Sequence, residues 1–347
     1  MSFSVPSYIR DSYTMLCVCP TRLEFAAMEG ALDEVHPNIA TTGRDKNAYT
    51  LGQIGRHNIA VTVLPEAGHG MAGAVVMQAL NDFKSIRFGF LVNVGGGIPS
   101  GDEYDIRLGD VVVATPLGTS SGVVPFARGR VQANGDFEQT KMINKPPQVL
   151  LEYVHRLQSK HLREGHKIDQ IVRGMLGKFH IMRDERFENP GADQDLYFQN
   201  AYEHNGARGC ATCDRTRLVA RLPRAAAPLR VHYGKIGSSN TVINSAAIRQ
   251  TLHQQLGVIC VETEATGMMD EFPCLVICGV GDYLDSHKNS QWHPYAAATA
   301  AAYLKELLSV IPPSNNNGDR FLNSDVKKGL RHGEKELHTR TFHSLST

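Results

Sequence analysis

At three places in this chain, acidic side chains follow directly on apolar runs of strand length. "VICVETEATG" carries Glu262 and Glu264, "PCLVICGVGDYLD" carries Asp282 and Asp285, and "LCVCPTRLE" reaches Glu24 through a short turn. A fourth apolar run, 88–94, stops at Gly95, Gly96 and Gly97, just after Asn93. If these runs are neighbouring strands, the carboxylates and the glycine loop gather at one sheet edge, where α/β folds bind ligands. Carboxylates without Cys or His among them suit two chemistries. They can hold a hard cation through oxygen, or they can grip sugar hydroxyls and donate protons. Glycines at a strand end are expected either to let the backbone come close to something or to let it turn where other residues would clash.

The elements that must position these groups follow from hydrophobic periodicity. "YTMLCVC" (13–19) reads as a strand and 22–35 as a helix, with apolar residues at helical spacing. The stretch 49–65 reads as a hairpin, 70–83 as a small-residue helix, and 88–94 and 108–116 as strands. Order returns with strands at 231–239, 257–262 and 273–282 and helices at 245–255, 265–272 and 294–311. Continuous apolar strands imply a sheet covered on both faces. The expectation is an α/β fold: a single-domain three-layer α/β/α arrangement with a mixed central sheet. Residues 1–12 read as a polar lead and 13–312 as the domain. The span 117–230 reads as an irregular insertion with one helix at 146–161, and 313–347 as a disordered polar tail.

Bulk composition narrows the function. The chain has 347 residues, a formal net charge of +1 and 42% hydrophobic residues. That balance lacks the electrostatic footprint of nucleic-acid or membrane-surface binding. No apolar run is long enough for a membrane span, and the N-terminus lacks a secretory pattern. Five of the seven cysteines lie in or beside apolar strands, as buried thiols of a reducing compartment would, so the expected location is cytoplasmic. Cys210 and Cys213 form one CxxC, with His204 the nearest candidate third ligand. A second pair is missing, so no metal is assigned.

The ordered set "GHGMAGAVVMQAL", "VNVGGGIPSGDEYDIRLGDVVVATP", "GSSNTVIN", "VICVETEATGMMDEFPCLVI" and "GDYLDSHKNSQWHPYAAATAAAYLKELLSVIP" resembles the purine nucleoside and uridine phosphorylase superfamily. The form it is most similar to is a fungal branch resembling methylthioadenosine/adenosylhomocysteine nucleosidase. The resemblance runs from about Tyr13 to Pro312 and omits much of 117–230. It implies a nucleoside phosphorylase-like fold and cleavage of the N-glycosidic bond of purine, adenine-type nucleosides. It implies Asp282 as the acid that protonates purine N7, and Glu24 as the group that orients the attacking water. It implies Glu264, with Glu262 and Thr263, at the ribose hydroxyls, and Asn93 and Gly95 to Gly97 around the sugar and nucleophile. Val242 and Ile243 would border the base. A homo-oligomer is implied, with the helices 70–83 and 294–311 offering surfaces.

The sequence departs from the family pattern at three points. Thr263 replaces a methionine under the sugar, Val242 replaces an aromatic residue beside the base, and Gly281 replaces a small polar residue before the acid. The strand-end residue Asn93 stands where phosphorylases carry a phosphate-binding arginine, which favours hydrolysis. Arg22 and Arg44 are the candidate phosphate ligands if the reaction is instead phosphorolysis, with inorganic phosphate as co-substrate and ribose-1-phosphate as product. A non-catalytic nucleoside-binding or storage protein is the third reading. Individually the residues have blander roles: Glu24 as a solvated first-turn carboxylate, Asp282 as a turn former, Asp285 as a loop anchor and His69 as a structural histidine. His287 and Trp292 either close over the site or cap the last helix.

Overall fold

The computed structural model describes residues 8–40, 46–101, 103–118, 120–126, 129–131, 137–139, 143–204, 209–224 and 229–313. Its first compact unit is Met1–Ile311. The strands are β1 (Met15–Cys19), β2 (Glu34–Val35), β3 (Tyr49–Ile54), β4 (His57–Val63), β5 (Phe88–Gly97) and β6 (Val111–Ala114). They continue as β7 (Val123–Pro125), β8 (Gly129–Val131), β9 (Phe137–Gln139), β10 (Val231–Ser238), β11 (Val258–Glu262) and β12 (Cys274–Asp282). The helices are α1 (Arg22–Ala31), α2 (His69–Asp82), α3 (Gln148–Glu164) and α4 (Ile168–Lys178). After them come α5 (Ile181–Asp184), α6 (Ala246–Leu256), α7 (Ala265–Glu271) and α8 (His293–Leu308).

The fold is mixed α/β, as the sequence predicts. The main sheet runs β11-β10-β6-β12-β5-β1-β4-β3-β2, and β7 joins it beside β10. It contains parallel pairs, such as β1 with β4 and β5, and antiparallel pairs, such as β6 with β12. One further pairing bends it. The end of β5 meets β11 antiparallel, with Gly97 opposite Cys260 and Gly96 opposite Val261. Strands β5, β12, β6, β10 and β11 thereby close into a ring. Closure brings the C-terminal ends of β5, β11 and β12 together, and these ends carry the chemistry-bearing residues.

The core explains the apolar runs. All five residues of β1 are buried, as are eight of the nine in β12. Helix α8 buries fourteen of its sixteen residues. Gly279 of β12 permits that approach: a Cβ there would lie 1.9 Å from the Ala296 carbonyl oxygen. The predicted 294–311 helix is therefore used up inside the chain and is not an oligomer surface. Helix α2 keeps an outward face, with Met77 44% exposed.

Two boundaries move. The helix predicted over 22–35 stops at Ala31, and 34–35 turn outward to pair with β3. The strand predicted to end at 94 runs on through Gly97. The middle segment also holds more structure than its pattern suggests: α4 follows α3 and packs on α8 and α1. Residues 195–204 and 209–224 are held by polar contacts, which leave no periodic trace. Arg221 pairs with Asp195 at 2.8 Å and donates to the Tyr283 hydroxyl at 2.9 Å. Arg224 donates to both oxygens of buried Asp110, at 2.6 and 2.7 Å, and His232 lies 2.8 Å from the same carboxylate. Burial alone would push Asp110 up, but its bonds to Arg224 and His232 outweigh burial and hold it below the ordinary carboxylate value.

Candidate active site

Glu24 is positioned by the helix it opens. Thr21 caps α1, and its hydroxyl accepts from the Leu23 N–H at 3.2 Å. Glu24 Oε2 closes the capping box by accepting from the Thr21 N–H at 3.1 Å, and the Thr21 hydroxyl donates to the same oxygen. The other oxygen, Oε1, accepts from the Val94 N–H at 3.1 Å and so crosses to β5. At 4% exposure Glu24 is not a solvated first-turn acid.

Glu262 ends β11 at the centre of a buried network. Its Oε2 accepts from Asn93 Nδ2 at 3.1 Å and from the Glu264 and Ala265 N–H groups at 2.8 Å each. Asn93 is fully buried and accepts from the Cys278 thiol at 2.7 Å. Thr263 donates to Glu264 Oε1, so it braces a carboxylate where the family pattern has a methionine. Glu264 is 2% exposed. Burial, and then the charge of Glu264, push Glu262 up to about 8. Burial also raises Glu264, and the nearby charge of Glu24 adds to that rise. Glu262 and Glu264 therefore form one buried, coupled pair. Low dielectric makes keeping a proton on that pair easier than ionising both members.

Asp282 stands at the end of β12. Its Oδ1 accepts from the Leu284 N–H at 2.8 Å, a turn closed with Leu284 at φ +56°. Its Oδ2 is 3.1 Å from Lys288 Nζ. Two neighbours were not singled out in the sequence. Lys288 is one, and His293, the first residue of α8, is the other. A Cβ on Gly281 would lie 2.7 Å from His293 Cδ2, and the charges of Asp282 and Glu24 both act on that ring. Burial nonetheless holds His293 below its ordinary value. The only sequence signal for it is a histidine opening an otherwise apolar helix.

Close packing by neighbouring protein atoms is what the structure shows at the glycines. None of Gly95, Gly96 and Gly97 has a positive φ. A Cβ on Gly96 would lie 2.2 Å from Leu284 Cδ2 and 2.8 Å from Asp282 Oδ1. One on Gly95 would lie 2.8 Å from the Val261 carbonyl oxygen, and one on Gly97 would lie 2.7 Å from Ile106 and Val280. Gly96 is also flanked by strands on both sides, opposite Val261 and Asp282. These residues are small so that β5, β11 and the Asp282 loop can meet.

The remaining predicted residues scatter. Ile243 joins a small apolar cluster with Ile98, Val124, Val258, Val261 and Leu284. Val242 is 63% exposed and does not form a buried wall. Arg22 is exposed at the first turn of α1, and Arg44 lies outside the described residues. Asp285 anchors its loop through Arg249 at 3.2 Å and the His287 N–H at 3.0 Å. His69 bonds Ser238 Oγ at 3.0 Å. Among the described residues, the strand-end carboxylates make no group with metal-ligating spacing; His204, Cys210 and Cys213 do.

No protein-family model matches the chain. A nucleotide-binding leucine-rich repeat (NLR)-like protein of Hyaloscypha variabilis is 37% identical over 327 residues, covering 93% of this chain and 32% of that protein. The chain thus spans about a third of the relative's length. Among solved structures, futalosine hydrolase of Helicobacter pylori aligns with a TM-score of 0.53 at 13% identity, over 86% of this chain and 99% of that one. A mutant of the 5′-methylthioadenosine/S-adenosylhomocysteine nucleosidase of the same organism, with 5′-methylthioadenosine in its active site, gives 0.53 at 12% over the same shares. The Neisseria meningitidis nucleosidase bound to methylthio-immucillin-A gives 0.52 at 14%, again over 86% and 99%. The ring of strands described above belongs to a fold that this chain shares with nucleosidases and futalosine hydrolase.

Proposed function

We propose that this chain hydrolyses the N-glycosidic bond of a purine, adenine-type nucleoside to free base and pentose. The observation that carries this reading is the meeting of Glu24, Glu262, Glu264 and Asp282 at the joined ends of β5, β11 and β12. Water bound against Glu24 attacks C1′ and passes a proton to that carboxylate. The C1′–N9 bond breaks, and its electron pair leaves with the base. Asp282, entering the step in its protonated form, gives the proton that N7 gains and is left as a carboxylate, an acid contribution typically of ~10²–10⁴-fold. Lys288, on the same carboxylate, adds a cation where the departing base gathers negative charge. Glu264 holds the ribose hydroxyls and steadies the positive charge that grows on the sugar. Asn93 supports water over phosphate, because its side chain is committed to Glu262 and Cys278 and brings no cation to the sugar. The seven free cysteines suit a reducing, cytoplasmic setting. A homo-oligomer would use the outward face of α2.

The length of the relative favours a second reading. A chain that matches 32% of the length of an NLR-like protein can serve as the nucleoside-binding part of a larger protein, without turnover. One experiment separates these readings. Free base released from adenosine, inosine, methylthioadenosine and uridine is measured with and without phosphate, on wild type and Asp282→Asn. Release in phosphate-free buffer that Asp282→Asn abolishes is the expected result. Release only with phosphate, yielding ribose-1-phosphate, would replace hydrolysis by phosphorolysis and promote Arg22 and Arg44. Nucleoside binding equal in both proteins, with no release from either, would establish the binding module.

A further inference from the structure

Cys210 and Cys213 lie in a turn of the middle segment, with the Cys213 N–H donating to the Cys210 carbonyl at 3.3 Å. Folding supplies what the sequence lacks. His204 Nδ1 lies 3.1 Å from Cys213 Sγ, and one ligand atom from each of His204, Cys210 and Cys213 falls within 4.8 Å of the others. Three such donors, two of them thiols, suit a borderline-soft ion that takes tetrahedral sulfur and nitrogen.

A fourth donor is close. His287 is 7% exposed, and both its ring nitrogens are buried without a hydrogen-bond partner. Buried imidazole nitrogens ordinarily find partners, so two idle ones on one ring need a reason. The ring is stacked on Phe198 at 4.1 Å and on Tyr202 at 5.1 Å, which fixes its plane. Its centroid lies 5.5 Å from that of His204, with the planes at 72°. Two imidazoles each ~2.0 Å from one tetrahedral zinc hold their rings at about that separation. His287 lies outside the tight triplet, so metal binding has to draw its ring inward to complete the set.

We propose that His204, Cys210, Cys213 and His287 bind one zinc ion that clamps the middle segment onto the loop carrying Asp282. The two segments already touch beside it. The His204 N–H donates to Ser286 Oγ at 2.9 Å, and Ser286 Oγ donates to Glu203 Oε2 at 2.7 Å. His287 is five residues beyond Asp282, so the ion ties down the strand end that presents the acid. The site rests on no assumption about the reaction.

The test uses the full chain, purified under reducing conditions without chelator. Metal analysis is expected to find about one zinc per chain, lost in Cys210→Ser and Cys213→Ser. Titration of the metal-free wild type with cobalt(II) should give the d–d bands of a tetrahedral ion and a thiolate charge-transfer band. This wild-type readout stands even if the serine variants fold poorly. His287→Ala should weaken binding by roughly tenfold or more while keeping the charge-transfer band. Zinc retained in Cys213→Ser would mark an adventitious ion and overturn the proposal. So would a wild type that takes up neither zinc nor cobalt while both thiols react freely. Unchanged affinity in His287→Ala would remove the fourth ligand and with it the clamp. None of these outcomes depends on base release.

Discussion

Glu262→Gln tests the buried carboxylates most directly. In the unfolded chain this group has an ordinary value of 4.5, and in the folded chain it rises to about 8. The folded state therefore binds its proton more tightly. The contribution to stability is fully present below about pH 4.5 and is lost as pH rises through 8. Each unit corresponds to ~1.4 kcal/mol, so at pH 7 the carboxylate costs roughly 3 kcal/mol. Glutamine keeps an oxygen to accept from Asn93, Glu264 and Ala265, and it does not titrate. The assay is urea unfolding of both proteins from pH 5 to pH 9. The stability of the variant relative to wild type should climb by several kcal/mol across that window at constant m-value. A relative stability that stays flat, or that falls with pH, would refute the assignment of a proton to this site.

Three further outcomes follow from contacts elsewhere. Gly96→Ala should lower stability by about 3 kcal/mol and reduce turnover, because its Cβ meets Leu284 and Asp282; a thermal melt within a degree of wild type would contradict this. Thr21→Ala removes the cap of α1 and one of the bonds that aim Glu24, and should cost ~1 kcal/mol in chemical denaturation. Arg224→Ala takes the guanidinium from buried Asp110 but leaves it His232 and the Arg107 and Arg230 N–H groups, and should cost ~1.5–3 kcal/mol in urea unfolding; because Asp110 is held below its ordinary value, the loss should shrink as pH falls through the acid range.

Strands and helices with strong apolar periodicity were legible from sequence to within a few residues, including the 49–65 hairpin and the runs that became β1, β11 and β12. Periodicity reports burial, and these elements are buried. The carboxylates that end the strands were legible for the same reason. The middle segment was not, because Arg221 and Arg224 hold it through ion pairs that obey no period. The reason for three successive glycines was also hidden. It lies in what β11 and the 283–284 turn place opposite them, and that is a property of the closed ring. His293 escaped notice because its relevance depends on where α8 begins relative to β12.

Closure of the ring sets an order of events during synthesis. Gly97 leaves the ribosome long before its partner Cys260, so the end of β5 must wait as an unpaired edge. Non-local pairings of this kind are slow to form. A nascent or truncated chain that stops before β11 exposes a glycine-rich strand end with nothing to cover it. The same interval leaves Glu24, Asn93 and Asp282 unassembled, so no partial product of translation can bring these side chains together. Topology alone thus withholds assembly of the carboxylate cluster until β11 and β12 have both been made.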